Sequence, residues 1–160
     1  MDEFRKQRAL ELWEHAQRHH LSGGVDRAIE LYTESIELYP TAEAYTFRGW
    51  AYSFQGRIED AIIECERAIE VDPSFGNPYN DIGSYLRKLG RSEEATEWFG
   101  RAKTAPRYEP RHYPYMNLAR LYASRGEIAR AIDELNGALA IVPHDRSCNL
   151  MLVQFRQLLN

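Results

Sequence analysis

The sequence predicts an all-α solenoid of four helix-turn-helix units closed by a C-terminal capping helix. Three observations predict it. A Gly-four-Ala spacing recurs at Gly23–Ala28 (GGVDRA), Gly56–Ala61 (GRIEDA), Gly90–Ala95 (GRSEEA) and Gly126–Ala131 (GEIARA), so the alanines step by 33, 34 and 36 residues. Apolar residues on both sides of each glycine keep a helical period of 3.6. Alternating β-branched runs that would mark strands are absent from the sequence.

The clearest unit spans residues 41–74. Gly56 is placed to end a helix in the left-handed conformation. Glu59 and Asp60 fall in the first turn of the next helix, where negative charge suits the helix dipole. Ala61 is small enough for two helices to approach closely. Ala61, Ile62, Cys65, Ala68 and Ile69 then form a core-facing stripe.

In chain order, residues 3–21 read as a first helix with Ala9, Leu12, Trp13 and Ala16 in phase. Residues 25–39 are its partner, stopped before Pro40. Pro73 and Pro143 close later units in the same way. In the third unit Tyr79, Ile82, Gly83 and Leu86 precede the turn at Gly90. Ser92 is the expected N-cap of the next helix, which carries Ala95, Trp98, Phe99 and Ala102. Residues 103–114 (KTAPRYEPRHYP) hold three prolines and lengthen the repeat by about two residues, which predicts a stiffened connection. Tyr108 and Tyr113 within it read either as a local plug or as ligand contacts. The units are expected at about 9–41, 42–75, 76–111 and 112–145 of one domain covering residues 1–160. A capping helix at about 145–159 carries Cys148, Met151, Leu152, Phe155, Leu158 and Leu159 on one side.

Composition narrows function by exclusion. The chain has 160 residues, 44% of them hydrophobic and 28% charged, the range of an ordinary globular protein. A net charge of −4 argues against a nucleic-acid binder. Two cysteines, both at apolar helix positions, read as buried thiols in a reducing compartment rather than a disulfide framework. The start MDEFRKQR is not a secretory signal, and no apolar run approaches a membrane span, so a cytoplasmic location is expected. There is no P-loop, G-x-S-x-G, dinucleotide fingerprint or CxxC pair, and the acidic pairs Glu59/Asp60 and Glu93/Glu94 fit helix starts better than acid–base chemistry. No enzymatic activity and no cofactor are expected. His15 and His19 are four apart, as zinc ligands on a helix are, but the sequence offers no third ligand, so no metal site is assigned. His20 is expected to be exposed. Arg48 falls in a packing phase and needs Glu64 or Glu66 if buried, or lies exposed over packed methylenes.

A signature can be followed from unit to unit. The third gives Tyr79, Ile82, Gly83, Leu86, Ala95, Phe99 and Ala102. The second gives Tyr45, Gly49, Tyr52, Ala61, Cys65, Ala68 and Pro73. The fourth gives Tyr115, Leu118, Ala119, Tyr122, Ala131, Leu135, Ala138 and Pro143, and the first gives Leu12, Ala16, Ala28, Tyr32, Ser35 and Pro40. With a period near 34 and two helices per unit, this pattern resembles the tetratricopeptide repeat (TPR) over nearly the whole chain. Arg48 and His15 stand where that family prefers leucine, His19 where it prefers tyrosine, and Arg107 where a closing proline is usual. The 105–114 segment is similar to a connection in some bacterial TPR proteins, which implies a bacterial origin.

The resemblance implies a right-handed α-α superhelix and a non-catalytic scaffold or adaptor that holds a protein segment in a concave groove lined by the first helix of each unit. Helical phase then places Trp13, Glu14, Gln17 and His20 of the first unit in that groove. Phe47, Trp50, Ser53 and Phe54 follow from the second, and Asn80, Asp81, Ser84, Arg87 and Lys88 from the third. The fourth adds Tyr113, Met116, Asn117 and Arg120. The N-terminal half is aromatic, which suits either hot-spot binding or packing. The C-terminal half is basic with amides, and Asn80 and Asn117 are expected to bond a peptide backbone. The expected ligand is a peptide with an apolar anchor and an acidic part.

TPR domains that clamp acidic chaperone tails need basic residues and asparagine at five groove positions. Those positions hold Trp13, Gln17, Phe47, Asn77 and Asp81 in one register, and Thr46, Trp50, Asp81, Tyr113 and Asn117 in the other, which argues against a chaperone-tail clamp. The alternative function is self-assembly through the terminal helices. RNA binding by the helical stack ranks third, for want of basic charge.

Overall fold

The computed structural model describes residues 1–159. Among the described residues there are nine helices and no strand. They are α1 (Asp2–Leu21), α2 (Val25–Leu38), α3 (Ala42–Phe54), α4 (Ile58–Val71), α5 (Asn77–Lys88), α6 (Ser92–Lys103), α7 (His112–Ser124), α8 (Ile128–Ile141) and α9 (Arg146–Leu158). Helices α1, α3, α5 and α7 each pack most heavily on the even helix that follows, and α9 packs on α8. The weaker α1–α3, α3–α5 and α5–α7 contacts align the first helices along one wall of a superhelical stack.

The four glycine turns share one geometry. Gly23, Gly56, Gly90 and Gly126 have φ of 90°, 78°, 78° and 78°. At Gly56 the Arg57 N–H donates to the Tyr52 carbonyl and the Gly56 N–H to the Ser53 carbonyl, each at 3.0 Å. This is the Schellman arrangement that satisfies the last carbonyls of a helix. It recurs at Gly90 and Gly126. Helix ends before the prolines are made differently, by Tyr39 and Asp72 in extended conformation. Thr41 and Asp145 cap α3 and α9 through their side chains, which accept from the Ala44 and Cys148 N–H groups. Ser92 does not cap α6. The turn places Arg91 at the N-cap and makes Ser92 the first helical residue.

The core repeats in register. Ala28, Ala61, Ala95 and Ala131 are fully buried, and so are Tyr32, Cys65, Phe99 and Leu135 four residues on. The facing positions, Ala16, Gly49, Gly83 and Ala119, are small in every unit. At Gly83 a Cβ would lie 2.5 Å from Cε1 of Phe99, a ring with no free side. Gly83→Ala is therefore expected to destabilise the chain by about 2 kcal/mol, because overpacking outweighs the roughly 1 kcal/mol that alanine gains in a helix. Urea unfolding checks this, and a variant as stable as the parent would refute it.

The proline-rich connection is docked rather than loose. Arg107 exchanges backbone hydrogen bonds with Ser74 (2.9 Å) and Gly76 (3.0 Å), forming an isolated parallel bridge with Phe75. Its guanidinium reaches Asp72 at 2.7 Å and Glu43 at 2.8 Å. Arg111 donates to the Lys103 and Ala105 carbonyls and so closes the end of α6. Tyr108 is buried against Gly76, where any Cβ would collide with the ring.

At the far end, Cys148 and Leu152 of α9 are buried, with Met151 and Phe155 partly covered. Leu158 and Leu159, expected on the same covered side, are exposed, because no described helix packs over the last turn.

Candidate functional site

The inner wall carries two adjacent depressions. The first, of about 240 Å³, is lined by Thr46, Phe47 and Trp50 from α3 and by Asn77, Asn80 and Asp81 from α5. Tyr108, Pro110 and Tyr113, from the connection and the start of α7, complete it. The second, of about 360 Å³, is lined by Ser84, Arg87 and Lys88 of α5, Phe99 of α6 and Asn117 of α7. Phe47, Trp50, Asn80, Asp81 and Tyr113 thus meet in one pocket, and Arg87, Lys88 and Asn117 in the next. Trp13, Gln17, Phe54 and Arg120 line neither.

The aromatic half both packs and faces the groove. Trp13 stands edge-on to Phe47 at 5.4 Å between centroids, and Phe47 stands edge-on to Trp50 at 6.0 Å. Trp50 also lies 4.0 Å from the His20 ring and 5.1 Å from Phe54. Trp50 and Phe47 remain half-buried, while Phe54 is 59% exposed. Trp13 acts as a buttress behind Phe47. Gln17 lies half-buried on α1.

His20 is buried, against the expectation from α1 taken alone, because Trp50 and Phe54 of the next unit close over it. Its Nδ1 lies 3.3 Å from the Tyr32 hydroxyl, and desolvation lowers its pKa below the ordinary 6.5. His15 and His19 bring their Nε2 atoms to 3.2 Å. No group of three metal-ligating side chains is found among the described residues.

The amides bond within the chain. Asn117 donates to the Asn80 side-chain carbonyl at 3.0 Å, and Arg120 donates to the Asn117 carbonyl at 3.3 Å. Asn80 is buried. These groups therefore form an internal ladder joining α5 to α7, and each amide oxygen already accepts one hydrogen bond within the chain. Met116, expected in the groove, is buried.

Asp81 is the one charged side chain among the described residues lining the first pocket. Desolvation pushes its pKa up to about 7, with no hydrogen bond or neighbouring cation acting against it. Arg48, by contrast, is fully engaged with Glu64 at 2.6 Å.

Of the other lining residues, the sequence names Thr46 and Asn77 only as clamp positions, Tyr108 only as a plug or a ligand contact, and Pro110 only as one of the connection's prolines. Asn77 had a detectable signal, since it lies one helical turn before Asp81 on the same face. Tyr108 and Pro110 enter only because the connection folds back across the start of α5.

The geometry defines a class first: a stack of helical hairpins whose first helices build a concave wall. The family model described as "Tetratricopeptide repeat" matches residues 42–75 and 77–107. Those two segments are tetratricopeptide repeats, and the stack they lie in has the tetratricopeptide-repeat fold. It is 39% identical over 71 residues to small glutamine-rich tetratricopeptide repeat-containing protein 2 of Mycosarcoma maydis, covering 44% of this chain and 20% of that one. Among solved structures it superposes on PilF of Pseudomonas aeruginosa with a TM-score of 0.86 at 18% identity, covering 94% of this chain and 68% of that one. It also resembles the second TPR of Spaghetti (RPAP3), solved bound to HSP90 peptide SRMEEVD. That match has 28% identity and a TM-score of 0.59 over 62% of this chain and 94% of the other. The chain spans a fifth or less of the length of the curated relatives it matches. No described helix is long and apolar enough to cross a membrane.

Proposed function

We propose that the chain is a non-catalytic scaffold that holds a protein segment along the wall formed by α3, α5 and α7. The observation that carries this reading is the pocket that three separate helical pairs build together around Phe47, Trp50 and Tyr113. Large aromatics that are half-covered and rigidly braced suit hot-spot recognition, since little side-chain entropy is lost on binding. The neighbouring depression, with Arg87 and Lys88, suits an acidic part of the same segment.

An acidic chaperone tail is not the proposed ligand. The positions that would clamp its carboxylates hold Phe47, Asn77 and Asp81, and Asp81 repels an anion. The net charge of −4 disfavours RNA. Peptides selected by display against the native chain are expected to bind at least tenfold more weakly to a Trp50→Ala, Arg87→Ala double variant, a loss of about 1.4 kcal/mol or more. Unchanged affinity, in a variant whose helical content is intact, would sink the groove reading.

A second reading, assembly of copies through the end of the stack, is favoured by the exposed Leu150, Val153, Leu158 and Leu159 of the last helix and the residue beyond it. Light scattering is expected to show a concentration-dependent dimer that Leu150→Glu with Val153→Glu abolishes. A monomer at all concentrations rules this reading out. Leu152 and Phe155 are poor positions for such a test, because both support the core.

A further inference from the structure

We propose that the first pocket takes a basic side chain, lysine or arginine, of the bound protein segment. Asp81 would supply the counter-charge, and Phe47, Trp50 and Tyr113 the ring surfaces. The inference rests on the groove reading and adds to it the chemistry of one subsite.

The argument is one of charge and surface. Asp81 lines a pocket whose other walls are aromatic rings, Pro110, a threonine and two amides. No side chain among the described residues forms an ion pair with it. Glu64 has Arg48 and Arg67, Asp72 has Arg107, Glu134 has Lys103, and the half-buried Asp145 accepts from the Cys148 N–H, so each of these acids has a partner that Asp81 lacks. Arg87 and Lys88 are turned into the neighbouring depression.

Three classes of occupant can be compared. An anion meets Asp81 in a medium of reduced dielectric and is repelled. An apolar side chain satisfies the rings but strips more water from an acid that has no partner, which opposes binding. A long basic side chain satisfies both walls. Its methylenes lie on Phe47 and Trp50, its head group reaches the carboxylate, and ring faces attract a cation. Asn77, with no side-chain hydrogen bond within the described chain, is available to orient the head group.

The test uses the full chain labelled with nitrogen-15 and four probes: the N-acetyl methylamides of lysine, arginine, norleucine and glutamate. The lysine and arginine probes are expected to shift the Asn77 and Asp81 amides and the Trp50 indole about fivefold more than norleucine does. Asp81→Asn, which keeps the shape and removes the charge, is expected to erase that preference while leaving the spectrum of a folded chain. Norleucine matching lysine, glutamate preferred at this pocket, or an Asp81→Asn variant that keeps the preference would each overturn the proposal. A pocket that responds to norleucine alone defeats this inference and leaves the groove reading standing. Silence at both depressions with every probe defeats both.

Discussion

Replacing Asp81 with asparagine is expected to raise the melting temperature of the ligand-free chain at pH about 8 by about 4–8 °C, and to leave it unchanged near pH 4. The sign follows from the proton balance. Burial raises the Asp81 pKa from an ordinary 3.8 to about 7. The folded chain therefore holds a proton that the unfolded chain has released anywhere between those values. The parent loses stability as pH rises through that window, and the penalty is complete above about pH 7. The full pKa difference corresponds to roughly 4 kcal/mol. The pocket mouth admits water to the carboxylate, so about 2 kcal/mol is the expected gain. His15 and His20, whose pKa values are also lowered, titrate in parent and variant alike and cancel in the difference. Melting curves across the range check the prediction, and a variant whose advantage is independent of pH would refute the assignment. The same substitution is expected to weaken the binding of basic probes, so the proposed subsite predicts opposite effects of Asp81→Asn on stability and on binding.

The second large effect is expected at Arg48. Its Nε donates to Glu64 at 2.6 Å and its Nη1 donates to the Thr33 hydroxyl at 3.2 Å, while its guanidinium carbon lies 5.6 Å from the Tyr45 ring centroid and 5.9 Å from that of Tyr52. It therefore joins α2, α3 and α4. Glu64 is only 3% exposed and accepts from Arg67 as well, at 2.7 Å. Arg48→Met removes one of these two cations and leaves a buried carboxylate half-satisfied, an expected loss of about 3 kcal/mol. Arg48→Met with Glu64→Met removes the stranded charge together with its partner and is expected to recover most of that loss, to within about 1 kcal/mol of the parent. Denaturant unfolding of the two single variants and the double variant closes the cycle. A double variant as unstable as Arg48→Met alone would show that packing, not the unpaired carboxylate, carries the effect.

These two positions also mark how far the sequence could be read. Both were singled out, Asp81 as a groove residue and Arg48 as a cation in a packing phase. Choosing Glu64 over Glu66 or solvent for Arg48 needed the crossing of α3 on α4, since the two acids sit on different faces of one helix. That Phe47 and Trp50 share one face of α3 follows from helical phase, which is a local property. The two amides are expected from sequence to bond a peptide backbone, and in the structure they bond each other. Their mutual hydrogen bond depends on how closely α7 approaches α5, which no phase argument contains.

What the sequence determined by itself was the repeating architecture: the helices, their order and the four glycine turns. Periodic apolar faces, left-handed glycines and closing prolines act within a few residues of one another, so their physics is complete in the chain as written. What only the tertiary structure decided was which side chains from different units share a space. His20 is buried by rings about thirty residues away. Tyr108 fills the gap over Gly76 because the connection pairs with residues 74–76. Asp81 acquires its raised pKa from walls contributed by α3, α5 and the segment before α7. Burial and electrostatic environment are sums over neighbours distant in sequence, and those neighbours exist only once the helical pairs have stacked.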